Sequence, residues 1–214
     1  TFLARSAYGT AFAGATADFS RIVLADSYTS GDHVLYLWTA GGGERRLLFG
    51  TPLDARPAGA QPPLNAIEYC EFTAGDGLLF KTALFDDRYG VGYCKLADPQ
   101  AAQPVAVLGC RHTGDGELES CHHLLENVYL LEYNIDGATW AYEATFNEAD
   151  LRLDVTRVVV GQDALAAGVA QSIRFDRATD SYAITFSSAT SPVQMYIQER
   201  SGALHRLTQE RVLG

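Results

Sequence analysis

Residues 118–160 read LESCHHLLENVYLLEYNIDGATWAYEATFNEADLRLDVTRVVV. Four runs rich in Val, Ile, Leu, Tyr and Phe follow one another in it: Leu118–Leu125, Asn127–Tyr133, the run around Ala141-Tyr142-Glu143, and Leu153–Val160. The apolar period is mostly two, and turn signals such as Asp136-Gly137 separate the runs, which is the pattern of short antiparallel strands. The unit recurs. Its third run carries a Tyr as Leu35-Tyr36-Leu37, Gly92-Tyr93-Cys94, Ala141-Tyr142-Glu143 and Met195-Tyr196-Ile197, about every fifty residues. A strand precedes each Tyr run, at Arg21–Asp26, Leu78–Phe85, Asn127–Tyr133 and Ser181–Ser187. Another follows it, at Arg45–Phe49, Pro104–Leu108, Leu153–Val160 and Leu204–Thr208. A further strand leads each unit, at Ala7–Phe12, Asn65–Phe72, Leu118–Leu125 and Val169–Phe175.

Four antiparallel strands repeated at this interval are the arithmetic of a β-propeller blade. The fold class expected is therefore all-β: four four-stranded antiparallel units forming an open arc of a larger propeller. The blades are placed at residues 7–50, 64–109, 117–161 and 168–209. A sheet that is apolar on both faces is not stable alone, and stacking blade on blade buries both. Tyr36, Tyr93, Tyr142 and Tyr196 are expected at equivalent places in the third strands. A β-sandwich with accidental spacing is the alternative architecture. The best helical segment, Gln162–Ala167, is too short for more than one turn. The proline-rich stretch Thr51–Pro63 reads as a long surface connection between blades.

Composition narrows the function classes. The chain has 214 residues, of which 47% are hydrophobic and 20% charged, so wholesale disorder is excluded. Acidic residues outnumber basic ones 26 to 16, for a net charge of −10. Such a surface repels phosphate, and neither nucleic acid nor an anionic membrane is expected as a partner. No apolar run reaches the roughly 18 residues that span a bilayer. Thr1-Phe2-Leu3 and Leu213-Gly214 read as cut or processing points, so a piece of a larger polypeptide is expected. No signal pattern is visible, and a cytoplasmic location is expected.

Several stretches resemble the propeller of prolyl-oligopeptidase-family serine peptidases, including acylaminoacyl peptidases and dipeptidyl aminopeptidases. Ile184–Pro192, then Met195-Tyr196-Ile197, then Leu204-His205-Arg206-Leu207-Thr208 is similar to their final blade. Val34–Trp38 with Glu44–Leu48, and Gly77–Phe80 with Gly92–Leu96, fit earlier blades. TolB-like and WD40-like propellers share this grammar. The resemblance implies a propeller that caps the active site of a companion hydrolase domain and admits short peptides. The family nucleophile sits in a Gly-x-Ser-x-Gly elbow, and no serine of this chain lies in that frame. No catalytic residue is therefore assigned, and the isolated chain is expected to lack peptidase activity. The partners expected are the hydrolase domain of the parent chain or another copy, and short peptides. Two alternatives stay open: a free-standing TolB-like or WD40-like propeller that binds a protein, and a propeller glycosidase.

Candidate site residues are few. Polar side chains on the leading strands, Glu68, Glu71, Glu119 and Arg174, are the channel-facing or peptide-facing candidates. Cys110, His112, Cys121 and His122 combine zinc-ligating types, but their spacing matches no standard pair, and neighbouring residues of a strand point to opposite faces. A Cys110–Cys121 disulfide across the Gly114-Asp115-Gly116 turn is the other reading. Cys70 and Cys94 read as small apolar core residues. The acidic pairs Asp86-Asp87, Glu148 with Asp150, and Glu68 with Glu71 are general acid/base types only if held at a set separation. No cofactor is expected.

Overall fold

A computed structural model describes residues 8–211. Ala7, the expected start of the first blade, and the end at Leu213-Gly214 lie outside the described residues. The described chain forms sixteen strands and two short 3-10 turns, and no α-helix among the described residues. It divides into two compact units, Thr1–Ala106 with Asn147–Arg152, and Val107–Phe146 with Leu153–Gly214.

In the first unit, β1 (Thr10–Ala15), β2 (Arg21–Thr29), β3 (Asp32–Thr39) and β4 (Arg46–Phe49) form one sheet in chain order. Next come β5 (Glu68–Phe72), β6 (Gly77–Thr82), β7 (Gly90–Lys95) and β8 (Asp98–Leu108), again side by side and antiparallel. The last two residues of β8 belong to the second unit. One face of each sheet supplies a common core. Val23, Ala25, Leu35, Leu37 and Leu48 pack on Ile67, Cys70, Leu78, Phe80, Cys94 and Leu96. Burying one such aliphatic or aromatic side chain stabilises by about 1.5–3 kcal/mol. Leading strands β1 and β5 approach so closely that a Cβ on Gly14 would lie 1.8 Å from the Cys70 carbonyl oxygen. Gly14 sits at a bulge in the β1–β2 pairing, where only a residue without a side chain fits.

The second unit repeats the plan. Strands β9 (Gly116–Leu125), β10 (Val128–Ile135), β11 (Ala138–Asn147) and β12 (Arg152–Val160) lie side by side, followed by the sheet β13 (Gly168–Asp176), β14 (Ser181–Ser188), β15 (Ser191–Gln198) and β16 (Leu204–Arg206). Leu124, Leu130, Ala141, Val159 and Val160 pack on Ile173, Tyr182, Ile184 and Phe186. Asp136 (φ 50°) and Gly137 (φ 80°) close the β10–β11 hairpin, the two-residue turn whose twist matches paired strands.

All sixteen expected strands are present, with shifted ends that have local causes. Asn65 does not open β5. Its buried side chain accepts from the His33 N–H (3.0 Å) and donates to the His33 carbonyl (2.9 Å), pinning the β4–β5 connection to β3. The Thr51–Pro63 connection is anchored as well, because Arg56 grips Asp32 with two hydrogen bonds of 2.6 and 2.9 Å. The Gln162–Ala167 segment is a single 3-10 turn, Asp163–Leu165, that buries Leu165 in the core.

The four tyrosines need a correction. All lie in third strands, but not on one face. Cys94 belongs to the shared core of the first unit, so Tyr93 beside it points away from the neighbouring sheet, towards the opposite face. Tyr196 instead packs on the core between the last two sheets. The tyrosine spacing therefore marks the strand and not the face.

Candidate ligand-facing site

The four channel-facing candidates all lie on leading strands: Glu68 and Glu71 on β5, Glu119 on β9 and Arg174 on β13. In the first unit Glu68 opposes Lys81 in register, and its carboxylate is 3.2 Å from the ammonium. That ammonium also sits 4.2 Å from the Tyr89 ring centre. Glu71 is half-buried opposite Leu79. Glu68 is thus taken up in a surface ion pair, which contributes up to about 1 kcal/mol.

In the second unit the β9–β10 register sets Ser120 opposite Glu132 and His122 opposite Leu130, so these four share one face. The Ser120 hydroxyl donates to Glu132 Oε1 at 3.0 Å. Burial raises the Glu132 carboxyl above the usual range, the Ser120 hydrogen bond pulls it down, Glu119 adds to the rise, and the Arg174 guanidinium opposes it. Burial also lowers His122, and Arg174 lowers it further. Glu119 and Arg174 thus both act electrostatically on one carboxylate, Glu132, for which the sequence alone offers no candidate role. Its signal was a lone charged residue inside the apolar run Val128–Tyr133.

Beside it lies a pocket of about 250 Å³ whose polar wall includes His122, Arg174 and Arg177 and whose apolar wall includes Leu124, Leu130 and Phe175. His123 also borders it, with its ring Nε2 donating to the Glu126 carbonyl at 2.9 Å.

The zinc candidates do not converge. Tyr142 accepts from the backbone N–H groups of Arg111 (3.2 Å) and His112 (3.0 Å) and donates to His112 Nδ1 at 2.9 Å. The Cys110 thiol hydrogen-bonds the Tyr133 hydroxyl. Cys121 is fully buried on β9. Among the described residues no group of three His, Cys, Asp or Glu side chains is placed to hold a metal ion. The Cys110–Cys121 disulfide is not formed, and none of the four cysteines is in a disulfide. The Cys110 thiol is engaged by Tyr133 instead. Cys70 and Cys94 lie in the apolar core, where burial pushes the Cys94 thiol up to about 11.

Glu148 does not act with Asp150. Its Oε1 accepts from the Thr73 hydroxyl (2.6 Å) and the Tyr93 hydroxyl (2.7 Å), and its Oε2 from the Gly75 N–H (2.9 Å). A Cβ on Gly75 would stand 2.6 Å from this carboxylate. Asp150 accepts from the Asn147 amide, and Asp86 from the Arg88 N–H. These acids close turns and fasten the 147–152 segment within the first unit.

No protein-family model matches the chain, and no curated protein matches it in sequence. Solved structures do. One of two prolyl endopeptidases studied for inter-domain dynamics in catalysis and specificity aligns over 92% of this chain and 26% of its own, with TM-score 0.66 and 18% identity. Oligopeptidase B from Trypanosoma brucei aligns over 92% and 26%, with TM-score 0.61 and 13% identity. TolB from Acinetobacter baumannii aligns over 95% and 44%, with TM-score 0.56 and 15% identity. This chain spans about a quarter of the length of the peptidases. Together with four antiparallel units in chain order, these likenesses identify the fold as an all-β propeller.

Proposed function

We propose that this chain is the non-catalytic propeller portion of a prolyl-oligopeptidase-type serine peptidase, gating the access of short peptides to a companion hydrolase domain. The observation that carries this reading is the charge on the leading strands of the second unit, Glu119 on β9 and Arg174 on β13, both of which act on the Glu132 carboxylate of β10. Opposite charges there suit the two termini of a peptide in passage. The likeness to prolyl endopeptidases and the absence of a Gly-x-Ser-x-Gly frame in this chain fit the same reading. The outer face of the first sheet supports a covered position in a larger body. Phe12, Leu24, Tyr36 and Leu47 form one row across it, and Phe12 is 66% exposed. A further blade or a second copy would cover that row.

Expression of the parent reading frame tests the proposal. Hydrolysis of acyl-aminoacyl or dipeptidyl chromogenic substrates is expected, with an organophosphonate labelling a serine outside this chain and long polypeptides left intact. A parent without a hydrolase, or a labelled serine within residues 1–214, overturns it. A protein-binding propeller is the second reading. It is favoured by the alignment with a TolB protein from Agrobacterium tumefaciens, which covers 63% of that chain. A parent that lacks a hydrolase and captures a defined protein partner would decide for it.

A further inference from the structure

Several arginines of the described chain are neutralised locally. Arg21, Arg45, Arg56, Arg157 and Arg200 each lie within ion-pair distance of a carboxylate. Arg174 and Arg177 lie together without such a partner. Neither makes an ion pair or hydrogen bond among the described residues, and both line the 250 Å³ pocket between β9–β10 and the end of β13. A concave site with two uncommitted guanidinium groups inverts the sign of a chain whose net charge is −10. A planar guanidinium presents paired donors that match a carboxylate. The half-buried Phe175 also lines the pocket, with the core residues Leu124 and Leu130 behind.

We propose that this pocket binds the terminal carboxylate of a peptide whose last side chain is apolar. The proposal rests on the reading above only in taking the ligand to be a peptide. Arg174 and Arg177 hold the carboxylate, and the terminal side chain lies against the half-buried Phe175 beside them. Two features favour a carboxylate over phosphate. The acidic surroundings repel a dianion more strongly than a monoanion, and phosphate has nothing to place against Phe175. Glu132 is the internal competitor for Arg174, so an anion entering the pocket replaces an existing, longer-range attraction.

Isothermal titration of the 214-residue chain with acetyl-Leu-Phe, as the free acid and as the C-terminal amide, tests this. The acid is expected to bind at least about tenfold more tightly, a difference of about 1.4 kcal/mol. Inorganic phosphate and acetate should bind more weakly than the acid. The double variant R174A/R177A should lose at least that factor, R174K/R177K should fall between, and R111A, in a separate pocket, should bind as the parent does. Thermal melting reports whether each variant folds, and the acid–amide comparison on the unaltered chain holds regardless. Equal affinity for acid and amide, phosphate binding as tight as the acid, no measurable binding of the acid, or unchanged binding by a folded R174A/R177A would overturn the proposal. None of these readouts needs a peptidase, so a parent lacking a hydrolase would sink the gating function and leave this site standing, and the converse holds too.

Discussion

The two sheet-on-sheet seams are built from different chemistry. In the first unit the seam is apolar at its centre, where Val23, Leu35, Leu37, Leu78, Phe80, Cys70 and Cys94 meet, and its buried polar ties are neutral: His33 Nδ1 bonds the Ile67 carbonyl at 3.0 Å and Asn65 bonds the His33 backbone. In the second, the comparable seam is edged by a polar network. The buried Tyr182 donates to Glu143 Oε1 at 2.9 Å, and Arg157 reaches the same oxygen at 3.3 Å. Arg157 also donates to Gln198 Oε1 and the Glu199 carbonyl, each at 2.7 Å, while the Gln198 amide donates to the Val159 carbonyl. An apolar centre is bound by area. A buried network is bound by direction, and each member left without its partner carries a desolvation cost. Both seams therefore join an apolar centre to directional bonds, neutral in the first unit and charged in the second.

That contrast can be broken at several points. Phe80→Ala empties the apolar centre of the first seam and should cost about 3–5 kcal/mol in urea unfolding. A loss below about 1 kcal/mol would mean that the seam collapses around the cavity. Glu143→Ala removes the carboxylate of Arg157, which keeps its bonds to Gln198 and Glu199, and leaves the buried Tyr182 hydroxyl without its acceptor, and about 3 kcal/mol of destabilisation is expected. Glu143→Gln, which keeps an acceptor for Tyr182, should lose less. If both variants lose equally, charge and not hydrogen bonding governs this seam.

The Glu148 fastening is smaller. Glu148→Ala removes the acceptor of Thr73, Tyr93 and Gly75 and should cost about 1–3 kcal/mol. Hydrogen exchange should localise the loosening to residues 147–152. The smallest effect concerns Glu132. Burial raises its carboxyl in the fold, so the protonated form is favoured there, and the stability this contributes is lost as pH rises through the folded pKa. Glu132→Gln keeps an oxygen acceptor for Ser120 and should raise stability at pH 7 by less than about 1 kcal/mol. The gain should vanish as pH falls below the ordinary glutamate range of about 4.3. Destabilisation at pH 7 would show that Arg174 outweighs burial at this site.

Sixteen strands, their order and the pairing of four to a unit were legible in the chain, because side-chain alternation and turn residues are local properties. Asp136-Gly137 called for its hairpin by backbone conformation alone. The placement of Glu68, Glu71, Glu119 and Arg174 on leading strands was equally a matter of counting. What those residues face was not, since it depends on segments distant in sequence. Glu148 meets Thr73 and Tyr93, 75 and 55 residues away, and Arg157 meets Gln198, 41 residues away. The tyrosine repeat shows the limit most plainly. Its spacing correctly gave the strand, but a shift of one residue reverses the face, and only packing decided that Tyr93 turns from the core while Tyr196 turns towards it. The sequence by itself determined an all-β chain of repeated four-stranded units with an acidic surface. The tertiary structure alone decided which charges are neutralised and which, like those of Arg174 and Arg177, stay uncommitted, because ion pairing depends on distances that chain order does not encode.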